Sequence, residues 1–144
     1  MQTVIYMSVY KDEPYKDKFS IKNQHDLLLD YIRVYDWELR DIYIDEDIST
    51  NQHDKPALNR LINDIKAGTV KNVLVYSISR LARNTKETKA LIDLFSDYRC
   101  RVTYRLEDID TLTPDGREQL NMILEVMDKK RPIPKHRTNN KDIG

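Results

Sequence analysis

Glycine is scarce in this chain, with three in 144 residues, and that scarcity argues against a Gly-rich loop cradling a phosphate. Cysteine is scarcer still. Cys100 stands alone inside an apolar stretch, so no disulfide can form within the chain, and a buried core thiol in a reducing cytoplasm is the expectation. No run approaches the ~18 apolar residues of a membrane-spanning helix. Met1-Gln2 leads directly into an apolar strand pattern without the features of a signal peptide, which again points to the cytoplasm and away from a membrane. The three histidines, His25, His53 and His136, have no metal-ligand spacing. Neither a metal nor another cofactor is expected.

Net charge is also lacking, since 24 Lys and Arg balance 24 Asp and Glu, but the balance is uneven along the chain. Asp128 to Gly144 holds six Lys or Arg and two Asp, a basic end that suits nucleic acid or is simply solvated. With 40% apolar and 33% charged residues the composition is that of a globular protein. The length fits one domain that buries about two-thirds of its unfolded surface. The expected division is a folded domain over 1–131 and a flexible basic tail over 132–144.

Apolar runs and helical periodicities alternate. Strands are expected at 3–9 (TVIYMSV), 38–44 (ELRDIYI), 72–78 (NVLVYSI) and 101–106, with a short edge strand in EDIDTLT. The first helix follows Ser20 as N-cap, and the second starts at Pro56 and stops at Gly68. A third passes through Leu91 to Phe95, and a last opens at Asp115-Gly116 and ends at Pro132 and Pro134. This order predicts a three-layer α/β/α sandwich on a mostly parallel sheet of four to five strands. Working groups then gather beyond the carboxyl ends of the strands, at Tyr10 to Glu13, Asp45 to Ser49 and Ser77 to Arg83.

Several chemistries compete for that edge. Asp45, Glu46 and Asp47 offer carboxylates for Mg²⁺, against the simpler reading of a solvated loop. A phosphoacceptor receiver domain would need an Asp after the third strand, where Ser77 and Ser79 stand instead. Ser79-Arg80-Leu81-Ala82-Arg83-Asn84 is the most pointed feature. If a helical turn begins there, Arg80 and Arg83 face the same way as a two-guanidinium phosphate clamp; the alternative is a pair of surface ion pairs.

Six segments in order, VIYMSV, FSIKNQHDLLLDY with Gln24, YIDEDIS, KPALNRLINDIKAG, NVLVYSISRLARN and EDIDTLTPDGR, give the chain a resemblance to serine recombinases of the resolvase/invertase family. The resemblance covers residues 3 to 128 and implies the resolvase-like catalytic fold. In that family a serine ending the first strand attacks a DNA phosphodiester without metal, and arginines stabilise the five-coordinate phosphorus. The family's Tyr-Ala-Arg-Val-Ser falls on Tyr6-Met7-Ser8-Val9-Tyr10, which puts Tyr10 at the nucleophile and Ser8 at an arginine. Asp-Arg-Leu-Ser-Arg-Asn falls on Ser79 to Asn84, keeping Arg80 and Arg83 and replacing the acid with Ser79. Lys55 stands for the arginine before the proline, and Lys130 for a glutamate of the last helix.

Ser8 and Tyr10 share a strand face about 6.5 Å apart, so Ser8 is not a nucleophile merely displaced. Tyr10 is either a phenol nucleophile or a packing side chain. The resemblance therefore implies a degenerate recombinase domain, DNA-associated or recombinase-interacting, with a recombinase active through Tyr10 as the alternative. The implied phosphate contacts are Arg80, Arg83, Lys55 and Gln24, with weak, non-specific DNA binding. Leu120, Ile123, Leu124 and Met127 form an apolar stripe that resembles the family's dimerisation helix and pairs with a second copy or a partner recombinase, or equally packs on the chain's own sheet.

Overall fold

The computed structural model describes residues 1–13, 20–48 and 54–129. Five strands, β1 (Gln2–Tyr10), β2 (Glu38–Ile48), β3 (Asn72–Val75), β4 (Arg101–Tyr104) and β5 (Ile109–Asp110), form one sheet in the order β2-β1-β3-β4-β5. All neighbours are parallel except β5, which runs antiparallel to β4. The helices are α1 (Ile21–Val34), α2 (Pro56–Lys66), α3 (Ile78–Leu81), α4 (Thr85–Asp97) and α5 (Pro114–Lys129).

Period-two alternation in β1 builds both faces of the sheet. Val4 and Tyr6 enter the larger core with Val73, Val75, Val102 and Tyr104, covered by α2, α4 and α5. Ile5 and Met7 point the other way and meet Leu74 beneath Leu28 and Ile32 of α1. Burying an aliphatic side chain of this size is worth about 1.5–3 kcal/mol, so the two clusters hold all three layers together. Cys100 lies fully in the larger core, and burial pushes its thiol up to about 12, as expected of an inert core thiol.

The helix boundaries follow their local chemistry. Ser20 Oγ accepts the Asn23 N–H at 3.1 Å, and Asn84 Oδ1 accepts the Glu87 N–H at 2.7 Å. Pro56 occupies the first turn of α2, and Gly68 at φ +82° follows its end, a conformation that favours glycine. A Cβ on Gly116 would stand 1.9 Å from the Asp110 carbonyl, so only glycine lets α5 approach β5 this closely.

The boundaries differ from the sequence expectation in two places that matter. β3 ends at Val75, and the residues expected to continue it turn into α3. β2 runs four residues further than its apolar stretch, through Asp45 to Ile48. It is an edge strand, so Glu46 and Asp47 remain exposed while Asp45 and Ile48 turn inward. The expected tail, 132–144, lies outside the described residues, as do Ser49, His53, His136 and the helix end at Pro132 and Pro134.

Candidate active site

The chain passes from β1 to β2 on one side and then crosses from β2 to β3 on the other side of β1, and ligand crevices in open parallel sheets form at such a switch point. Here the carboxyl end of β1 meets α3. Ser8 pairs with Asp45 but Tyr10 pairs with Ile48, so two steps of β1 span three of β2. Asp47 takes φ 54° at this irregularity. The bulge gives the end of β1 extra twist.

A tight turn follows, in which the Glu13 N–H donates to the Tyr10 carbonyl at 3.3 Å and the Tyr10 N–H donates to Glu13 Oε1 at 2.8 Å. The Glu13 carboxylate thereby faces inward toward Arg80. Arg80 Nη1 donates to Glu13 Oε1 at 2.5 Å, and Nη2 donates to Oε2 at 2.9 Å. This is a two-pronged ion pair in which each residue is only 7% exposed. Arg80 Nη1 also donates to the Ser8 carbonyl at 3.0 Å.

Ser8 is engaged on every side. Its hydroxyl donates to the Arg80 carbonyl at 2.6 Å, and Gln24 Nε2 donates to its carbonyl at 3.0 Å. Ser8 and Gln24 thus stitch β1 to α3 and α1 from a buried position. Ser8 is 0% exposed, and its hydroxyl is committed to that stitch.

Arg83 reaches the site differently from the helical clamp that its spacing suggested. α3 is a single turn, and Ala82 is extended at φ −154°, ψ 149°, so Arg80 and Arg83 do not share a helix face. Arg83 lies over the Tyr10 ring, 4.2 Å from its centroid, and its Nη1 stands 3.3 Å from Asp12 Oδ1. Lys55 Nζ approaches the same ring at 5.6 Å and pairs with Glu87 Oε1 at 3.3 Å. Tyr10 is 3% exposed, and its hydroxyl has no hydrogen-bond partner among the described residues.

Beside this cluster Asp45 serves the fold. Its oxygens accept the Tyr6 hydroxyl at 2.8 Å and the N–H groups of Ala57 and Leu58 at 2.9 and 3.0 Å, capping α2 from β2. Burial first, and then the Asp45 charge, push the Tyr6 phenol far above its ordinary value. With Asp45 so engaged, the candidate Mg²⁺ trio does not come together. Among the described residues no three His, Cys, Asp or Glu side chains are grouped as a metal site.

Ser79 shares a hydroxyl contact of 3.1 Å with Ser77. The α3 N-terminus is capped from afar, the Ile78 N–H donating to the Glu107 carboxylate at 3.3 Å. On α5 the expected dimer stripe divides. Leu120 and Leu124 are buried in the domain's own core, Ile123 packs partly against it, and Met127 is exposed. Met122 and Val126, which the sequence reading passed over, are exposed. Lys130 lies outside the described residues.

The ion pair has a pH consequence. Burial pushes the Glu13 carboxyl up, but hydrogen bonds from Arg80 and from the Tyr10 N–H outweigh it and leave the group below the ordinary carboxylate range. A lowered folded-state pKa contributes stability above the unfolded value of about 4.3, and that contribution is lost as pH falls through the folded value. Burial raises Glu107, which acts in the opposite sense. The stability advantage of the wild type over Glu13→Gln is therefore expected to shrink as pH falls through the window below about pH 5, read from paired denaturant melts. A constant gap across that window would contradict the assignment.

Strand order, the reversed fifth strand and an arginine-bearing turn after β3 together define a resolvase-type α/β domain. The chain belongs to the resolvase N-terminal domain family, whose model matches residues 3–141. The N-terminal catalytic domain of TP901-1 integrase superposes with a TM-score of 0.75 at 31% identity, covering 91% of this chain and 97% of that one. A resolvase-family site-specific recombinase from Streptococcus pneumoniae gives 0.68 at 22% identity over 90% and 89% of the two chains, a likeness of fold. Transposon Tn917 resolvase of Enterococcus faecalis is 27% identical over 95 residues, 66% of this chain. The chain spans about half the length of that relative.

Proposed function

We propose that this domain is a recombinase-family protein without strand cleavage, acting as a DNA-associated or recombinase-interacting regulator. The observation that carries the reading is at the end of β1. The Tyr10 ring is buried and covered by Arg83, and the only nearby aliphatic hydroxyl on β1, that of Ser8, is buried and donates to Arg80; aligned by the sequence motif, Tyr10 falls at the family's serine. Phosphoryl transfer depends on pre-placed cationic donors, and Arg80, Arg83 and Lys55 each face a carboxylate of this chain.

DNA association is proposed through Arg83 and Lys55 at the site and through the basic residues that begin at Lys129. Such binding is weak and blind to sequence, because phosphate contacts carry no base information. Exposed Met122, Val126 and Met127 offer α5 a surface for a second copy or for an intact recombinase. Binding to a random duplex is expected to weaken with salt, and Arg83→Ala is expected to lower the slope of log affinity against log salt by about 1. Light scattering on the same samples reads the dimer. Affinity indifferent to salt would remove the phosphate contacts, and a monomer at every concentration would remove the dimer.

A second reading keeps an active recombinase with Tyr10 as nucleophile. The phenolic oxygen is unpartnered among the described residues, and two cations lie over its ring, which favours it. Against it stand the burial of the ring and the lack, among the described residues, of a base hydrogen-bonded to that oxygen.

A further inference from the structure

We propose that Glu13 is a built-in anionic ligand that occupies the Arg80 guanidinium and keeps phosphate out of it. The inference deepens the DNA-associated reading above and rests on it only for the identity of the displaced ligand, a nucleic-acid phosphate.

The geometry is that of a ligand contact. Two carboxylate oxygens meet two guanidinium nitrogens at 2.5 and 2.9 Å, the fork-to-fork arrangement in which arginine also grips a phosphate. Arg80 Nη1 has two hydrogens, and Glu13 and the Ser8 carbonyl take them both. A phosphate therefore cannot take the same two-pronged grip while Glu13 stays in place.

The carboxylate is also presented, not merely adjacent. Its turn is closed by the Glu13 N–H on the Tyr10 carbonyl and by the Tyr10 N–H on the carboxylate itself, which fixes the side chain inward before any ligand arrives. Tethering of this kind gives an internal ligand a high effective concentration, so a free anion competes at a disadvantage. The neighbouring pairs do not mask their cations to the same degree. Asp12 and Arg83 meet at 3.3 Å with side chains 56% and 41% exposed, and Lys55, as buried as Arg80, meets one Glu87 oxygen at 3.3 Å rather than a two-pronged carboxylate. Masking is concentrated on the most buried guanidinium.

The test uses the full chain and follows the Arg80 side-chain N–H resonance, assigned by its loss in Arg80→Lys, during titration with inorganic phosphate. Glu13→Gln keeps size and an accepting oxygen but removes the charge. Its Arg80 signal is expected to move with phosphate at concentrations that leave the wild type unmoved. Its affinity for a random duplex should rise roughly tenfold, the scale of one charge-assisted contact. The gain should vanish in Glu13→Gln with Arg80→Gln.

Should Glu13→Gln not fold, the wild type serves alone. Its Arg80 signal and the Tyr10 amide signal should both stay unmoved as phosphate is added, and a wild-type Arg80 signal that moves readily with phosphate would overturn the proposal. A folded Glu13→Gln protein whose Arg80 signal ignores phosphate would overturn it as well, even if salt-dependent DNA binding persists. If phosphate moves Arg80 in Glu13→Gln while duplex affinity stays flat, masking stands and the DNA reading fails.

Discussion

Arg80→Ala is expected to destabilise the domain by about 3–5 kcal/mol, because it leaves the Glu13 carboxylate buried without its counter-charge. The two side chains are 9% and 5% exposed, so water cannot replace what is lost. The Ser8 carbonyl loses one donor as well, although Gln24 still serves it. Arg83→Ala is the internal control. Its pair with Asp12 is largely solvated, and such contacts are worth about 0.2–1 kcal/mol, so the loss should stay near that range plus a modest contribution from stacking on Tyr10.

Urea melts of both variants therefore separate two arginines that the sequence presents as equivalents. A double variant, Arg80→Ala with Glu13→Ala, should recover part of the loss, since the stranded charge goes with its partner. Equal, small effects of the two single substitutions would show that the buried ion pair does not exist in solution.

Much of the frame was legible because it depends on local chemistry. Ser20 as N-cap, Pro56 in a first turn and Gly68 past a helix end are short-range rules, and each lies where expected. The largely apolar run at 72–78 identified a central strand, because a strand buried on both faces is apolar along nearly all its length, although the strand itself ends at Val75. The α/β/α layering and the mostly parallel sheet followed from the alternation of elements, though the order of the strands did not, and the six motif segments pointed to the family that the comparisons establish.

The wiring of the site was not legible, since its partners are remote in sequence. Glu13 and Arg80 are separated by 67 positions, and nothing near either residue announces the other. Arg80 and Arg83 looked like a helical pair because spacing was all there was to read; the extended Ala82 breaks the helix between them. One signal could have helped. Two consecutive acids, Asp12-Glu13, end the strand beside the one that leads to two arginines, and in a parallel sheet these ends adjoin. On α5 the helical stripe was correctly apolar, but periodicity does not tell a face turned to the sheet from one left to a partner. The packing assigns Leu120 and Leu124 to the core.

The largest functional effect expected is the loss of strand cleavage. Removing a hydroxyl nucleophile alone costs on the order of a millionfold in other enzymes that attack through one. Removing a single charge-stabilising donor typically costs a hundredfold or more. By the family motif this chain has Tyr10 for the nucleophile, Ser8 for an arginine and Ser79 for an acid, and these effects do not simply add. Even so, on the proposed reading the first alone is expected to put cleavage below detection. Lys55 is a further retreat, since an ammonium lacks the planar fork of an arginine.

Covalent capture tests this most directly. The full chain is incubated with a pool of randomised suicide duplexes under salt conditions where it binds DNA, denatured, digested and read by mass spectrometry, beside an intact serine recombinase on its own site. The account predicts no nucleotide-linked peptide from this protein, while the control yields its phosphoserine adduct. A stable adduct on Tyr10 or Ser8 would contradict it.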